Sequence, residues 1–325
     1  MDYYFGLLQI IGIHALLGWS AYILLLTGQL SLAQVGFFAI GAYVAGILTT
    51  MFSFHILPAL FIGSIIAGIF AFLVGFPALR IRGLMLVVAT IAFTQFTSLF
   101  FFNVHWQKEV DGVLVGPDST QGFREIRFFA ANGWDTLDVT IFIWLFVIAV
   151  MGLLWWIDNS RAGAVLRAVG EDELAAQSVG INLTSAKVLA MTTGGIIAGL
   201  SGGLYAHSAT YVDHLTFSIL LATFAIAYPI IGGINNVFGT LAAVIMIQGL
   251  LVEGLRFLGD WRNLLFGLLI ILVMMLIMLT SMLCLLFVML ISMFFSMLSS
   301  MLIMLISILC LLIFMLIIHI GMLIG

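Results

Sequence analysis

Long apolar stretches alternate with short polar segments along most of the chain. Stretches of about 20 apolar residues are long enough for a helix to cross a bilayer core of about 30 Å. A transmembrane barrel would instead show ten-residue segments of alternating polarity, and these are absent. We therefore expect an all-α fold, a polytopic transmembrane helical bundle of about eight to ten spans. The pattern places candidate spans at residues 5–26, 30–52, 56–75, 83–102, 139–157, 188–206, 219–232, 237–253 and 263–280.

Two longer polar segments, 103–138 and 158–187, separate the spans. Because one predicted span lies between them, they must face opposite sides of the membrane. The positive-inside rule compares the Lys and Arg residues on the two sides. The chain has ten such residues, five on each side, so charge does not decide the orientation.

Composition supports a membrane protein. The chain is 64% hydrophobic and 7% charged, whereas soluble domains carry roughly 25% charged residues. Its net charge of −4 includes no basic tract, which argues against nucleic acid as a partner. The first apolar stretch has no basic residue before it and no small-residue cleavage site, so we interpret it as a retained span.

The motifs of soluble catalysis are missing from the sequence. A phosphate-binding loop would end in Gly-Lys-Ser/Thr, but neither Lys108 nor Lys187 follows the required glycines. We therefore predict that the chain is not an enzyme, does not hydrolyse ATP itself, and uses no metal or other cofactor. We interpret His14 as a hydrogen-bonded packing residue rather than a catalytic one. For the segment 207–214, which holds two histidines and an aspartate, we favour ordinary polar loop residues over a metal site.

Ionisable groups are rare inside the predicted spans. Proton-coupled carriers need titratable relays within the membrane. A bundle without them is either a passive channel or a machine that is driven from outside itself.

Two spans are interrupted by glycine and polar residues, at 24–43 and 230–243. Non-helical backbone at membrane depth is tolerated where it is buried in protein or lines a watery cavity, and paired interruptions indicate a transport pathway. A tight helix–helix turn is the alternative for the second interruption. The candidate pathway residues are Ser31, Gln34, Gly36, Gly232, Gly233, Asn235 and Asn236.

Small residues recur every four positions in the span 188–206. Such a stripe lets another helix backbone approach closely. We favour tight packing within the bundle, with a moving gate helix as the alternative. The two rows are Gly194, Ala198 and Gly202, and Gly195, Gly199 and Gly203.

The stretch "LRAVGEDELAAQSVGIN" (166–182) predicts a short helix outside the bilayer. Gly170 precedes it, and we expect Glu171, Asp172 and Glu173 in the first turn, where the helix dipole favours acids. Leu174, Ala175 and Ala176 form its body, and Gly180 is placed to end it in a left-handed cap. The helix is either a solvated connector or a plug that docks into a partner's groove.

The stretch "SRAGAVLRAVGEDELAAQSVGINLTSAKVLA" resembles the cytoplasmic coupling loop of permease subunits in branched-chain amino acid ABC importers. The resemblance also covers "TGQLSLAQVGFFAIGAYVA", "PALRIRGLMLVVATIAF", "IIGGINNVFGTLAA" and "LRFLGDWRNLLFGLLIILVMML", in that order over about residues 15–276. The loop "VDGVLVGP" is similar to one in the longer of the two paired permeases of such importers.

The resemblance implies that the helix 171–180 seats in a groove of a separate ATPase subunit and faces the cytoplasm. The implied partners are a second permease, two cytoplasmic ATPase subunits, an extracytoplasmic substrate-binding protein and the lipid bilayer. The implied location of the chain is the bacterial cell (inner) membrane. Permeases for urea or short amides look alike at this level, so they are an alternative, as is a passive channel.

The chain departs from the family in two places. Members usually have Leu-Ser-Leu-Gly-His where this chain has Leu30 to Gln34, so any role of that histidine passes to Gln34. Members also commonly end in a basic segment, whereas residues 277–325 are a low-complexity, Met- and Leu-rich apolar tail containing Cys284 and Cys310. A translated frameshift or an incorrect chain end would produce such a tail. We assign the permease domain to residues 1–276 and no function to the tail.

Overall fold

The computed structural model describes residues 2–78, 83–110, 113–234 and 236–253, and beyond these only Leu268, Ile271 and Met275. Contacts divide the chain into two units, Met1–Arg262 and Asn263–Gly325. The first unit is described below. The predicted span at 263–280, the domain boundary at 276 and the tail lie outside the described residues, apart from those three positions, and stay predictions.

The first unit is a helical bundle, as the apolar pattern predicts. Six of its described helices are long and apolar enough to cross a membrane, and two apolar helices are shorter. In chain order the helices are α1 (Asp2–Leu26), α2 (Gln34–Thr50), α3 (Ile56–Ala78), α4 (Leu84–Asn103), α5 (Phe128–Ala131), α6 (Thr136–Asp158), α7 (Arg161–Glu171), α8 (Glu173–Ser178), α9 (Leu183–Ala209), α10 (Ile219–Gly232) and α11 (Val237–Val244), which continues into a π-helix (Ile245–Glu253).

Helix α9 is the centre of the bundle and packs against α1, α2 and α3. Residues from both small-residue rows of α9 lie where neighbouring helices approach closely. A Cβ placed on Gly199 would lie 2.5 Å from the Cβ of Ala67 on α3, and one on Gly202 would collide with the carbonyl oxygen of Phe38 on α2. A third close approach joins Gly194 to Ser20 of α1. The tight-packing interpretation of the stripe is therefore confirmed, because the backbones approach more closely than any side chain would allow.

Helices α3, α4 and α6 form the periphery. Their outward faces carry large apolar side chains, including Phe61, Phe96 and Leu145, which are 55%, 65% and 61% exposed. Side chains of this kind are stable against lipid tails and would not be stable in such numbers against water.

A small antiparallel sheet, which the apolar pattern does not predict, follows α4. Its strands are β1 (Lys108–Val110), β2 (Val113–Pro117) and β3 (Phe123–Arg124), in the order β1-β2-β3. Phe123 is fully buried, with its ring 6.1 Å from that of Tyr43 on α2, and its backbone pairs with Val212. These contacts hold the sheet against the end of the bundle. The sequence does contain a motif that could predict this hairpin, because an Asp-Gly pair at 111–112 lies between two short runs that contain valine.

Candidate coupling and translocation sites

The acidic segment forms two helices instead of the single one predicted. Glu171 is the last residue of α7, and Asp172 stands between α7 and α8 as the N-cap of α8. The Asp172 carboxylate accepts hydrogen bonds from the backbone N–H groups of Leu174 (2.8 Å) and Ala175 (3.1 Å). Only Glu173 lies in the first turn of α8, so the expectation that all three acids lie there is wrong. A side-chain oxygen that satisfies two free N–H groups starts a new helix at this point.

The left-handed cap predicted at the end of α8 is confirmed. Gly180 has a φ of +86°. Its N–H donates to the carbonyl of Gln177, and the N–H of Ile181 donates to that of Ala176. This pair of bonds is a Schellman motif, in which glycine avoids the steric penalty of positive φ.

Helix α8 has a buried face and an exposed apolar face. Ala176 is 3% exposed and packs with Val169 of α7 and Ala186 of α9. On the other side, Leu174 is 78% exposed and Val179 is 76% exposed. Such exposed apolar side chains on a capped helix are the kind of surface that docks into a partner's groove.

Polar contacts and close backbone packing join α7 to the transmembrane helices. Asp158, the last residue of α6, accepts a hydrogen bond from the Tyr22 hydroxyl of α1 at 2.6 Å. The Arg167 guanidinium of α7 donates to the Asp158 carbonyl at 2.5 Å. The backbone of Gly170 packs directly on that of Gly28, which follows α1. Helix α7 is thus fixed to the junction of α1 and α2.

The first predicted interruption is present between α1 and α2. Gly28 has a φ of +70°, and α2 begins only at Gln34. Two threonines of α4 satisfy the non-helical backbone: the Leu32 N–H donates to Thr90 Oγ1 (3.1 Å), and the Thr94 hydroxyl donates to the Leu32 carbonyl (2.8 Å). Ser31 is 3% exposed and accepts a local bond from the Ala33 N–H. Irregular backbone buried in this way is what membrane depth permits.

Gln34 is the unusual residue of this interruption. It is 1% exposed, and neither its amide oxygen nor its amide nitrogen has a hydrogen-bond partner among the described residues. Its Nε2 faces the backbone of α9 at Gly194, and Gly36, two positions on, packs against Phe93 of α4. Buried amides without partners are rare, and each one calls for an explanation.

The second interruption is a tight turn between α10 and α11. Gly233 has a φ of +97°, and the backbones of Gly232 and Gly239 are in contact. Asn236 caps α11, accepting hydrogen bonds from the N–H groups of Phe238 (3.0 Å) and Gly239 (3.3 Å). The capping role of Asn236 favours the alternative that the second interruption is a helix–helix turn. Asn235 lies outside the described residues. No hydrogen bond between described residues joins the two interruptions, although both contact α1.

The bundle contains a polar cluster of which only one member, His14, could be identified from the sequence. His14 Nδ1 lies 2.9 Å from the Tyr228 hydroxyl and 3.1 Å from Gln248 Nε2, and Gln248 Nε2 lies 2.7 Å from that hydroxyl. The three come from α1, α10 and the π-helix. His14 is therefore a hydrogen-bonded packing residue, as expected. Tyr228 and Gln248 gave no signal because no sequence period relates them to position 14.

The interpretation of residues 207–214 as an ordinary polar loop is wrong for its first member. His207 lies in α9, is 1% exposed, and is 3.0 Å from the Thr49 hydroxyl and 2.7 Å from the Gly203 carbonyl. Asp213 and His214 contact each other at 2.7 Å, away from it. Within the described part of the chain, no group of three metal-ligating side chains is present.

The architecture is that of a membrane permease: a multi-pass helical bundle with buried chain interruptions, and with a pair of short helices between α6 and α9. The family model for the permease component of branched-chain amino acid transport systems matches residues 3–279. The chain belongs to this family of permeases and is a multi-pass protein of the bacterial cell (inner) membrane, as the resemblance implied.

Relatives of known function are permeases as well. The high-affinity branched-chain amino acid transport system permease protein LivM of Salmonella typhimurium is 28% identical over 77% of this chain. LivM of Escherichia coli is likewise 28% identical over 77% of the chain. The fructose import permease protein FrcC of Rhizobium meliloti is 23% identical over 82% of this chain and 75% of its own length. The chain spans 63% of the length of both LivM proteins. No solved structure gives a significant match.

Proposed function

We propose that this chain is the transmembrane permease subunit of an ATP-driven importer for branched-chain amino acids. It forms the translocation pathway with a second permease, and two cytoplasmic ATPase subunits drive it. An extracytoplasmic substrate-binding protein delivers the substrate. Both LivM relatives carry that substrate class in their names, which favours it over the sugar named for FrcC.

The observation that carries the proposal is the pair α7–α8. Helix α8 displays Leu174 and Val179 away from the bundle. Its other face is fixed to α9 by the Glu173–Lys187 ion pair, with 2.5 Å between Glu173 Oε1 and Lys187 Nζ. A groove that closed on Leu174 would therefore move α7 and α9 together with α8.

The movement would reach the pathway through the contact of Gly170 with Gly28. Gly28 lies in the interruption that ends at Gln34, so a displacement of α7 changes the position of the buried pathway residues. This is coupling through one connected element, with ATP-dependent closure of the partner as its source.

The test is co-purification in detergent after co-expression with the second permease and the ATPase subunits. We expect Leu174→Glu to lose the ATPase subunits and ATP-driven leucine uptake while still inserting in the membrane. Asn159→Ala is the control, because Asn159 is exposed near α7 and its side chain donates to the Trp155 carbonyl within its own helix. ATPase binding that survives Leu174→Glu contradicts the coupling role of α8.

The substrate is tested separately, by comparing uptake of leucine, acetamide, urea and fructose in proteoliposomes. Saturable, ATP-dependent uptake of leucine supports the proposal. ATP-dependent uptake of an amide or a sugar instead would reassign the substrate, and uptake that needs no ATP would indicate a passive channel.

A further inference from the structure

A cavity of about 360 Å³ lies on the side of the bundle opposite α7 and α8. The last turn of α2, the sheet strands β1 and β2, and helix α5 surround it. Its lining includes Thr50, Ser53, Val115, Glu125, Arg127 and Phe128. The volume falls at the small end of the roughly 300–1,000 Å³ typical of ligand pockets, which suits a small metabolite.

Among the described lining residues, the charged ones form a single ion pair. Arg127 Nε lies 2.8 Å from Glu125 Oε2, and Arg127 Nη2 donates to Glu125 Oε1 at 3.1 Å. A guanidinium has five N–H donors and a carboxylate has about four acceptor positions. Two N–H donors of Arg127 and two acceptor positions of Glu125 are used within the pair. Arg127 therefore has about three donors, and Glu125 about two acceptor positions, that the pair does not use. The nearby cations point elsewhere: Lys108 donates to the Met51 carbonyl, and Arg124 lies over the ring of Tyr211.

A ligand with a single charge would be attracted by one member of this pair and repelled by the other. A dipolar ion laid antiparallel to the pair gains at both ends, because its ammonium meets Glu125 and its carboxylate meets Arg127. An α-amino acid carries these two groups one carbon apart. The Glu125 and Arg127 side chains, which are 35% and 67% exposed, can reach such a ligand from solvent.

Two residues of the lining hold strained backbone. Glu125 and Ser53 have φ values of +63° and +53°, a region that residues other than glycine rarely adopt. The strain at Glu125 is held by the neighbouring backbone bond from the Ile126 N–H to the Thr210 carbonyl, at 3.2 Å. Strain of this kind concentrates at binding sites, where it places a side chain that regular structure would direct elsewhere.

One part of the wall is apolar, and Thr49, Thr50, Ser53 and Asn132 form an uncharged polar part. Val110 and Val115, from neighbouring strands, and Phe128, from α5, line the cavity beside the ion pair. Aliphatic and aromatic side chains in this position bury a short hydrocarbon chain at a favourable free energy per unit area.

We propose that this cavity is an outer binding subsite for the zwitterion of an aliphatic α-amino acid, with Glu125 taking the ammonium and Arg127 the carboxylate. The subsite rests on the proposed function, since it would receive the substrate before the substrate enters the pathway. It adds a specificity element that lies outside the membrane-buried interruptions.

The test is saturation-transfer NMR on the full chain in lipid nanodiscs, without the partner subunits. The probes are L-leucine, 4-methylpentanoate, which lacks the ammonium, and 3-methylbutylamine, which lacks the carboxylate. We expect methyl signals from leucine to exceed those of either analogue at least fivefold. Glycine, which has no hydrocarbon chain, should not reduce the leucine signal at equal concentration. Equal signals from leucine and both analogues would overturn the zwitterion assignment, and equal competition by glycine would overturn the aliphatic one.

Variants provide the second arm. Arg127→Gln and Glu125→Gln should each lower the leucine signal at least fivefold, and the control Arg124→Gln should leave it unchanged. An unchanged leucine signal in Arg127→Gln overturns the subsite even if the assembled transporter imports leucine. Conversely, binding that depends on Arg127 in a chain whose transporter imports no leucine leaves the subsite intact and rejects the proposed function.

Discussion

Replacing Gln34 should stabilise the protein and impair transport at the same time. The Gln34 amide is buried at 1% exposure without a hydrogen-bond partner among the described residues. A buried polar group left unsatisfied costs about 1–3 kcal/mol. Gln34→Met keeps the shape of the side chain and removes both polar atoms, so we expect the free energy of unfolding to rise by about 1–3 kcal/mol.

Gln9 offers a matched control. It is also a buried glutamine of the bundle, at 7% exposure, but both its amide nitrogen and its amide oxygen are hydrogen-bonded. Its Nε2 donates to the Thr136 carbonyl and the Thr140 hydroxyl, both at 3.1 Å, and its Oε1 accepts from Ser208 at 2.7 Å. Gln9→Met breaks these bonds and should lower the free energy of unfolding by about 1–3 kcal/mol. The same substitution at the two positions therefore has opposite signs.

The assay is unfolding in mixed micelles with increasing SDS, together with leucine uptake by the assembled transporter. A hydrogen bond to substrate contributes about 0.5–1.5 kcal/mol, so Gln34→Met should raise the KM for uptake roughly 2- to 10-fold. If Gln34→Met destabilises the protein as much as Gln9→Met does, the Gln34 amide is satisfied and the reasoning fails. If stability rises but uptake is unchanged, Gln34 has no role in the pathway.

Two further predictions concern packing and capping. Gly202→Ala should lower the free energy of unfolding by about 3 kcal/mol, because the new methyl group meets the Phe38 carbonyl; Gly152→Ala, where a Cβ meets nothing within 4 Å, should cause no loss in the same unfolding assay. Asp172→Ala removes both N-cap bonds of α8 and should cost about 1 kcal/mol of local stability, measured as about fivefold faster hydrogen exchange at Leu174 and Ala175. Asp172→Asn keeps a side-chain oxygen that can accept these bonds, so its amide hydrogens at Leu174 and Ala175 should exchange at the wild-type rate. Faster exchange in that variant would refute the capping role.

The sequence alone was informative wherever a strong local rule applied. Apolar length placed the spans, and glycine spacing on α9 predicted the close packing at Gly199 and Gly202, because a four-residue period keeps one helix face small. The positive φ of Gly180 followed from its place after a short helix. At Asp172 two local rules compete, because an acid is favoured both in a first helical turn and at an N-cap; the structure has Asp172 as the N-cap of a second helix.

Only the tertiary structure decided which polar residues act together. Gly170 and Gly28 are in contact although 142 positions separate them in the sequence. The residues of the cluster of His14, Tyr228 and Gln248 come from three different helices. Glu125 and Arg127 are only two positions apart in the sequence, yet their cavity exists only because α2 and the sheet meet there. A bilayer dictates helix length and apolar composition directly, so both can be read along the chain. The faces that meet depend on how several helices pack at once, and no local pattern records that choice.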